Sequence, residues 1–205
     1  MTNEHQLFNE MDMHLQNDNK PSTYFKGLKS PLFANTHPFI MLSCLRHVNQ
    51  SRVHHPEGNV WNHTLMVIDQ ADNNKHKATV GARVFMWAAL LHDIEKSETT
   101  VVKNGKITAQ GHDIKGAEMT RDFLSCFVED KLFVSQVAAL VRWHMQILLA
   151  VKHPHKTNFA AMKKDTDIND IALLGICDRM GRLHADIKKE EQAIKIFLKT
   201  AATTP

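Results

Sequence analysis

The stretch Val84-Phe85-Met86-Trp87-Ala88-Ala89-Leu90-Leu91-His92-Asp93-Ile94-Glu95-Lys96 decides the fold of this chain. Its apolar run from Val84 to Leu91 predicts the centre of a helix over about residues 77–92 that is apolar on nearly all sides. Such a helix belongs in the middle of a bundle. The run ends directly in His92 and Asp93, which places an imidazole and a carboxylate beside the predicted core.

The rest of the sequence also favours helices, since glycine and proline are scarce and Ala, Leu, Met, Lys and Glu dominate the periodic stretches. One exception is Asn104-Gly105 between two β-branched runs, which predicts a hairpin over about residues 99–108. The other predicted helices are a short N-terminal one marked by Leu7, Met11 and Leu15, then 39–49, 60–71, 112–128, 131–149, 169–185 and 186–200. Asp130 is the expected cap of the helix over 131–149, and Asn169 or Asp170 that of the next helix. Residues 150–167 between them are predicted as a loop, with or without a short helical turn. The predicted fold class is an all-α bundle with one small β-hairpin.

Composition narrows the class of protein. The chain has 205 residues, 43% of them hydrophobic and 23% charged, which is typical of one globular core with helical extensions. A net charge of +3 is too small to indicate nucleic-acid binding by itself. Three scattered cysteines argue against a disulfide framework or zinc ribbon and fit a reducing compartment. With no signal peptide and no apolar run long enough for a bilayer, we expect a cytoplasmic protein without a membrane partner.

Several polar side chains interrupt the apolar faces of the predicted helices. His144 falls on a stripe with Leu140 and Val141, and His63 shares a face with Met66 and Val67. Asp178 is spaced by four and seven residues from Leu174 and Ile171, so a carboxylate faces the core. A buried carboxylate without a partner costs several kcal/mol or changes its protonation state. Asp178 therefore needs a partner.

Each of these residues alone has an ordinary structural explanation. His144 could be a hydrogen-bonded core histidine, and His92 with Asp93 could cap a helix end. Asp178 could form a salt bridge with Arg142, Arg179 or Arg182. Jointly, four inward polar groups on four helices are satisfied by one divalent cation, since imidazoles and carboxylates suit Fe, Mn, Ni, Co or Zn. Neighbouring helix residues project about 100° apart, so His92 and Asp93 reach a single ion most easily at a helix end.

The order His63, His92-Asp93, Asp178 resembles the defining pattern of the HD superfamily of phosphohydrolases. It is more closely similar to the C-terminal HD domain of bacterial CCA-adding tRNA nucleotidyltransferases. The segments that carry the resemblance are His55-Pro56-Glu57-Gly58, Trp61-Asn62-His63-Thr64-Leu65-Met66, Leu91-His92-Asp93-Ile94-Glu95-Lys96, Gly111-His112, Gly116-Ala117-Glu118, Leu140-Val141-Arg142-Trp143-His144 and Cys177-Asp178-Arg179-Met180-Gly181-Arg182. It implies an N-terminal helical extension over 1–53, an HD domain over 54–185 and a packed C-terminal helix over 186–205.

Two departures limit the resemblance. The sequence shows no trace of the nucleotidyltransferase head that those tRNA enzymes carry upstream, so CCA addition is not expected. Many family members have glycine in the pattern His-Asp-x-Gly-Lys, where this chain has Glu95. We expect Glu95 to alter the backbone or add negative charge near the entrance, which bears on substrate preference rather than on metal binding.

The resemblance implies that His63, His92, Asp93 and Asp178 bind one divalent ion (Fe, Mn, Ni, Co, Mg or Zn). His112 and His144 match the positions that ligate a second ion in two-metal members, with Asp93 as the bridge. In a single-metal enzyme these two histidines would instead bind phosphate or donate protons, and both arrangements remain open.

The catalytic residues implied are Asp93, Lys96, His112 and His144. Lys96, one turn past His92, would neutralise phosphate charge or else be a solvated surface lysine. Arg142 and Arg182 are further phosphate-binding candidates. His112 would protonate the leaving alkoxide if it is not a ligand.

The first functional hypothesis is a phosphomonoesterase or phosphodiesterase acting on a nucleotide, a cyclic nucleotide or a related small phosphoester through metal-activated water. The second is a non-catalytic HD module that binds a nucleotide or an RNA end. The third is a di-iron oxygenase on the same scaffold, which requires both His112 and His144 to ligate iron. An oligomer is compatible with all three.

Overall fold

The computed structural model describes residues 2–103, 106–109 and 112–204, and within these it leaves aside the side chains of Lys103, Lys106, Thr108, Ala109, His112, Asp113 and Lys156. The helices are α1 (Asn3–Asn17), α2 (Ser22–Gly27), α3 (Pro31–Asn35), α4 (Ile40–Ser43), α5 (Val60–Asn74), α6 (Ala82–Leu91), α7 (Lys96–Thr99), α8 (His112–Ser125), α9 (Lys131–Trp143), α10 (Gln146–Lys152), α11 (Phe159–Asp165), α12 (Ile168–Met180) and α13 (Ile187–Thr203). Strands β1 (Thr100–Lys103) and β2 (Lys106–Ala109) form a hairpin. The predicted all-α bundle with one small hairpin is confirmed.

Helix α6 lies in the middle of the bundle, as its composition predicts. Every residue from Val84 to Leu91 is buried, and the helix packs against α1, α5, α9 and α12. Its predicted start at residue 77 is wrong. The carboxylate of Asp170 accepts hydrogen bonds from the backbone N–H groups of Thr79 and Val80. Gly81 follows with a φ of 91°, so this segment is held out of helical geometry.

The N-terminal segment packs onto this bundle. Helix α1 buries Leu7, Met11 and Leu15 as predicted and contacts α6. The predicted helix over 39–49 is shorter, because α4 ends at Ser43 and a 3₁₀ turn, Cys44–His47, follows. Beyond that turn, Val48 and Gln50 form backbone hydrogen bonds with the segment that leads into α5. That pairing ends the helix.

The hairpin has the predicted position. Its strands pair antiparallel with Thr100 opposite Ala109 and Val102 opposite Ile107. The residues expected at its turn, Asn104 and Gly105, lie outside the described part of the chain. The hairpin follows directly after α7, so it begins a few residues beyond the His92-Asp93 pair.

The predicted helix over 131–149 is divided in two. Asp130 caps α9 as expected, accepting hydrogen bonds from Leu132 and Phe133. The helix breaks after Trp143, and α10 resumes at Gln146. Within the described residues, Lys131–Lys152 is the one stretch long and apolar enough to cross a membrane, but 61% of its most apolar window is buried inside the protein. A helix in the core of a soluble protein can be equally long and apolar, so this is weak evidence for a membrane span.

The C-terminal helices differ in their limits from the prediction. Asp167, rather than Asn169 or Asp170, caps α12, which ends at Met180 instead of near residue 185. The segment predicted as a loop over 150–167 contains α11 and the end of α10. The last helix is confirmed as α13, which is capped by Asp186, packs on α12 and buries Phe197 against Phe159 of α11.

Candidate metal centre

Three separate helices bring the predicted metal ligands together. His63 lies on α5, His92 and Asp93 follow the last residue of α6, and Asp178 lies on α12. All four residues are buried. Ligand atoms of His63, His92 and Asp93 lie within 4.8 Å of one another, and Asp178 joins them through His63, with 2.9 Å between Asp178 Oδ1 and His63 Nε2.

Asp178 is paired with both a histidine and an arginine. Besides His63, the Nη2 atom of Arg182 lies 3.3 Å from its Oδ2 atom. Burial acts to raise the pKa of Asp178, but Arg182 and His63 outweigh it and hold the pKa well below its usual value. The salt bridge to Arg182 that the sequence left open is therefore present. It coexists with the contact to His63, which belongs to the cluster formed by His63, His92 and Asp93. Arg179, the other nearby candidate, pairs with Glu190 instead.

His92 and His144 face Asp93 with the same ring nitrogen. Their Nδ1 atoms donate to the backbone carbonyls of Ala89 and Val141, at 2.8 Å and 2.6 Å. A carbonyl can only accept, so Nδ1 carries the hydrogen of each neutral ring and the lone pair is on Nε2. The Nε2 atoms lie 3.2 Å and 3.8 Å from the carboxylate oxygens of Asp93. Two lone-pair nitrogens directed at a carboxylate are stabilised by a cation placed among them.

The charge states of these groups suit a cation. Burial and the neighbouring His92 lower the pKa of His144 to about 4, so this imidazole is neutral at pH 7. Burial acts to raise the pKa of Asp93, but Lys96 and His92 hold it well below the usual value. Within the described residues, His92 Nε2 makes no hydrogen bond. The neutral imidazole of His144 beside the ionised carboxylate of Asp93 provides donors that fit a divalent transition-metal ion.

Lys96 connects the cluster to an open pocket. Its Nζ atom lies 2.7 Å from Asp93 Oδ2 and donates to Gln50 Oε1 at 3.0 Å. The side chain is only 18% exposed, so it is not a solvated surface lysine. The pocket has a volume of about 320 Å³. Its lining consists of Asn49, Gln50, Ser51, His54, His55, Lys96, Thr100, Ile107, Met145 and Leu148.

A smaller cavity of about 40 Å³ also borders the cluster. His144, Asp178 and Arg182 line it together with Met145 and Leu148, which also line the larger pocket. Arg182, predicted to bind phosphate, therefore lies beside the cluster. A groove of about 540 Å³ at α8 and α9 is larger than either but contains none of the predicted site residues.

Arg142 and His112 are not brought to the cluster by any described contact. The Arg142 guanidinium lies 3.5 Å from Asp165 and over the ring of Trp143. This placement does not favour the phosphate-binding role that the sequence suggested. His112 begins α8, but its side chain lies outside the described residues, so its role as a ligand or proton donor stays a prediction.

Glu95 does not lie at the entrance, contrary to the expectation from sequence. Its side chain is fully buried and points toward α8, where a Cβ atom at Gly116 would lie 2.8 Å from Glu95 Oε2. The absence of a side chain at Gly116 therefore makes room for the carboxyl group. The chain turns directly from His92 through Glu95 into α7, so the carboxylate is directed inward rather than to the pocket.

Sequence reasoning gave no role to Glu57. Its Oε1 atom lies 3.0 Å from His63 Nδ1 and accepts a hydrogen bond from His55 Nδ1 at 2.9 Å. Glu57 stands in a loop before α5, where periodicity says nothing about direction. Its place in the segment His55-Pro56-Glu57-Gly58, beside a predicted ligand, was the signal available.

The HD-domain model matches residues 60–196, which include all four predicted ligands. The chain belongs to the HD domain family. Among curated relatives, it is 28% identical to the Multifunctional CCA protein of Actinobacillus pleuropneumoniae serotype 5b (strain L20) over 89% of its own length and 45% of the relative's. It is 42% identical to the Multifunctional CCA protein of Pseudomonas fluorescens (strain SBW25) over 32% of its length and 15% of the relative's.

The chain spans less than half the length of these relatives. Membership of the HD family suggests the metal-dependent phosphohydrolase superfamily, and the buried histidine–aspartate group is able to hold a metal ion. The division into extension, HD domain and C-terminal helix at residues 53 and 185 stays a prediction.

Proposed function

We propose that this HD protein is a cytoplasmic metal-dependent phosphohydrolase that cleaves a phosphomonoester or phosphodiester, with a nucleotide or cyclic nucleotide as the substrate class. One observation carries the proposal. His92 Nε2 faces the Asp93 carboxylate at 3.2 Å, and the hydrogen of the ring is on Nδ1, so a nitrogen lone pair is directed at a carboxylate. His63 and Asp178 complete the donor set. Two imidazoles and two carboxylates favour Fe, Mn, Ni, Co or Zn over Mg.

A divalent cation bound there supplies Lewis acidity and makes water a nucleophile near neutral pH. The chain's own residues then bind and orient the phosphoester. Lys96 and Arg182 lie one turn after Asp93 and Asp178 and are now paired with them. A cation held by those carboxylates would weaken both pairings, and the two basic side chains could then bind the negative phosphate oxygens. Met145 and Leu148 give the pocket an apolar wall that suits a base or sugar.

The proposal is tested on native-purified full chain by elemental analysis, followed by turnover on monoesters, diesters and 2′,3′-cyclic nucleotides. Asp93→Asn should lose both the metal and the activity. Asp18→Asn is the matched control, because it alters another histidine-paired carboxylate, at the end of α1, where Asp18 contacts His14. It should retain both properties. A metal-loaded protein that turns over no ester would contradict the proposal.

A module that binds a nucleotide or an RNA end without turnover is the second candidate. The similarity to proteins named for CCA favours it, although that similarity is 28% over most of the chain. Such a module would bind an RNA ending in CCA even after chelation, whereas the hydrolase should not turn over its ester when chelated. No described contact favours the oxygenase, which depends on His112 as well as His144.

A further inference from the structure

The loop before α5 places the Glu57 carboxylate beside His63 Nδ1, the ring nitrogen on the side away from Asp178. Glu57 has a side chain that is only 2% exposed, and its Oε1 atom lies 3.0 Å from His63 Nδ1. Two features hold this loop in place. Asn62 donates from its side chain to the Glu57 carbonyl at 3.0 Å, and Gly58 takes a φ of 102° that turns the chain into α5. These contacts of the loop therefore fix the position of the Glu57 carboxylate.

The opposite edge of the same ring faces the cluster. His63 Nε2 donates to the ionised Asp178 Oδ1 at 2.9 Å, so an ion shared with that carboxylate would bind at Nε2 in place of this hydrogen. An imidazole that ligates through Nε2 carries its hydrogen on Nδ1, and this N–H needs an acceptor that fixes the tautomer and the ring plane. Glu57 Oε1 lies at the required distance from Nδ1, 3.0 Å, but the ring is not turned so that the N–H points at it, since Nδ1 makes no hydrogen bond within the described residues. A ligated ring would need only a small rotation to reach this acceptor.

His92 and His144 meet the same requirement in a different way. Both follow the end of a helix, where carbonyl groups of the last turn are left without intrahelical partners. Their Nδ1 atoms donate to those carbonyls. His63 stands in the first turns of α5, and the carbonyls just before it, of Asn59 and Val60, already accept from His63 N–H and the Thr64 hydroxyl. The oxygen that lies within 3.0 Å of His63 Nδ1 belongs instead to a side chain from outside the helix, that of Glu57.

We infer that Glu57 is a positioning residue that fixes the Nδ1–H tautomer and the ring orientation of His63 for metal binding. This inference rests on the metal site of the proposed function. It gives Glu57 no contact with the ion or the substrate. Removing such an outer carboxylate typically weakens metal affinity by about 10–100-fold.

The test is a titration of the full chain with Co²⁺, followed by the visible absorption of the bound ion. Glu57→Leu removes the charge and the acceptor at similar volume, and Glu57→Gln keeps an acceptor oxygen. We expect Glu57→Leu to bind Co²⁺ about 10–100-fold more weakly, with Glu57→Gln between it and the parent protein. His55→Ala is the matched control, since it removes the hydrogen bond from His55 to Glu57 Oε1 but leaves the Glu57 carboxylate beside His63 Nδ1. Its affinity should stay close to that of the parent.

Thermal unfolding of the metal-free variants checks that each one folds. Equal Co²⁺ affinity in Glu57→Leu and the parent protein overturns the inference while the proposed function stands. Equal weakening by His55→Ala also overturns it, because a general loosening of the loop then explains the loss. Loss of one of two bound ions, with the affinity of the other unchanged, makes Glu57 a ligand and overturns the positioning role. A parent protein that binds no Co²⁺ overturns the inference and the metal site together.

Discussion

Asp170 and Asp178 lie about two turns apart on α12, and both are nearly inaccessible to solvent, at 1% and 6% exposure. Asp170 accepts hydrogen bonds from the backbone of Thr79 and Val80 and from the Thr79 hydroxyl. Asp178 instead faces the ring of His63 and the guanidinium of Arg182. The partners differ in kind, although the burial is similar.

This difference in partners distinguishes a buried carboxylate with a structural role from one that belongs to a functional site. The donors around Asp170 are neutral, they belong to the segment before α6, and they satisfy the charge without another ion. The groups around Asp178 are themselves ionisable, and they belong to a cluster in which His92 Nε2 faces Asp93. Neighbours that are titratable and convergent mark a functional site more reliably than burial does.

The largest effect should come from Asp178→Asn. The amide keeps the shape of the side chain but removes the negative charge that a cation requires. We expect metal affinity to fall by more than about 100-fold, the upper range for groups that only orient ligands, and turnover to fall with it. Metal titration and phosphoester hydrolysis measure the two losses. Metal affinity near that of the parent protein would place Asp178 outside the ligand set.

Metal binding should stabilise the parent protein and Asp170→Asn equally, but not Asp178→Asn. A ligand present at 100 times its Kd adds about 2.7 kcal/mol to the free energy of unfolding. For a chain of this size that corresponds to a rise in Tm of roughly 5–10 °C. Thermal unfolding with added metal and with a chelator measures it. A similar rise in Asp178→Asn would indicate that the metal binds elsewhere.

Asp170→Asn should reduce stability without changing metal affinity. Its amide NH₂ would face one of the N–H or O–H donors that the carboxylate now accepts from, so one buried donor loses its partner. We expect the free energy of unfolding to fall by about 1–3 kcal/mol. Urea denaturation measures the loss, and a Co²⁺ titration serves as its control. A large drop in metal affinity would remove the distinction between the two carboxylates.

Arg182→Met should have the smallest effect. The arginine is partly exposed, and Asp178 keeps its contact with His63 when the guanidinium is removed. We expect a loss of about 1 kcal/mol in the metal-free protein, well below the roughly 3–5 kcal/mol for breaking a fully buried pair, because Asp178 keeps His63 as a partner. The loss should be smaller in the metal-loaded protein, because the ion then supplies the positive charge. Chemical denaturation in both states measures the difference. A larger loss in the loaded state would show that the arginine stabilises the site by another route.

The sequence was sufficient for the elements whose pattern is local. The apolar run of α6, the β-branched runs around Asn104-Gly105 and the inward spacing of Asp178 each predict what the structure contains. The start of α6 could not be predicted, because it depends on Asp170, a residue far along the chain that holds Thr79 and Val80. Because this long-range role of Asp170 is not visible in the sequence, Asn169 or Asp170 was expected to cap α12, although Asp167 does so.

The candidate site was predicted where a side chain's direction follows from its helix. Asp178, His63 and His144 point inward because helical spacing fixes their faces. For residues in loops and turns, such as Glu57 and Glu95, the sequence pattern does not predict where the side chain points. Glu57 stands in a loop, and Glu95 turns inward only because Gly116 leaves space for it. Arg142 has helical neighbours, but Asp165 on α11 determines where its guanidinium lies.

The hairpin supplies Thr100 and Ile107 to the wall of the pocket, while every predicted metal ligand belongs to the helical bundle. Under the proposed function, the ion and this part of the substrate pocket would thus be carried by separable parts of the molecule. Changes in the length or side chains of this two-stranded insert alter the shape of the pocket without moving a ligand. Divergence among relatives should accordingly concentrate in the hairpin, and grafting it between HD proteins should transfer substrate preference but leave the ion requirement unchanged.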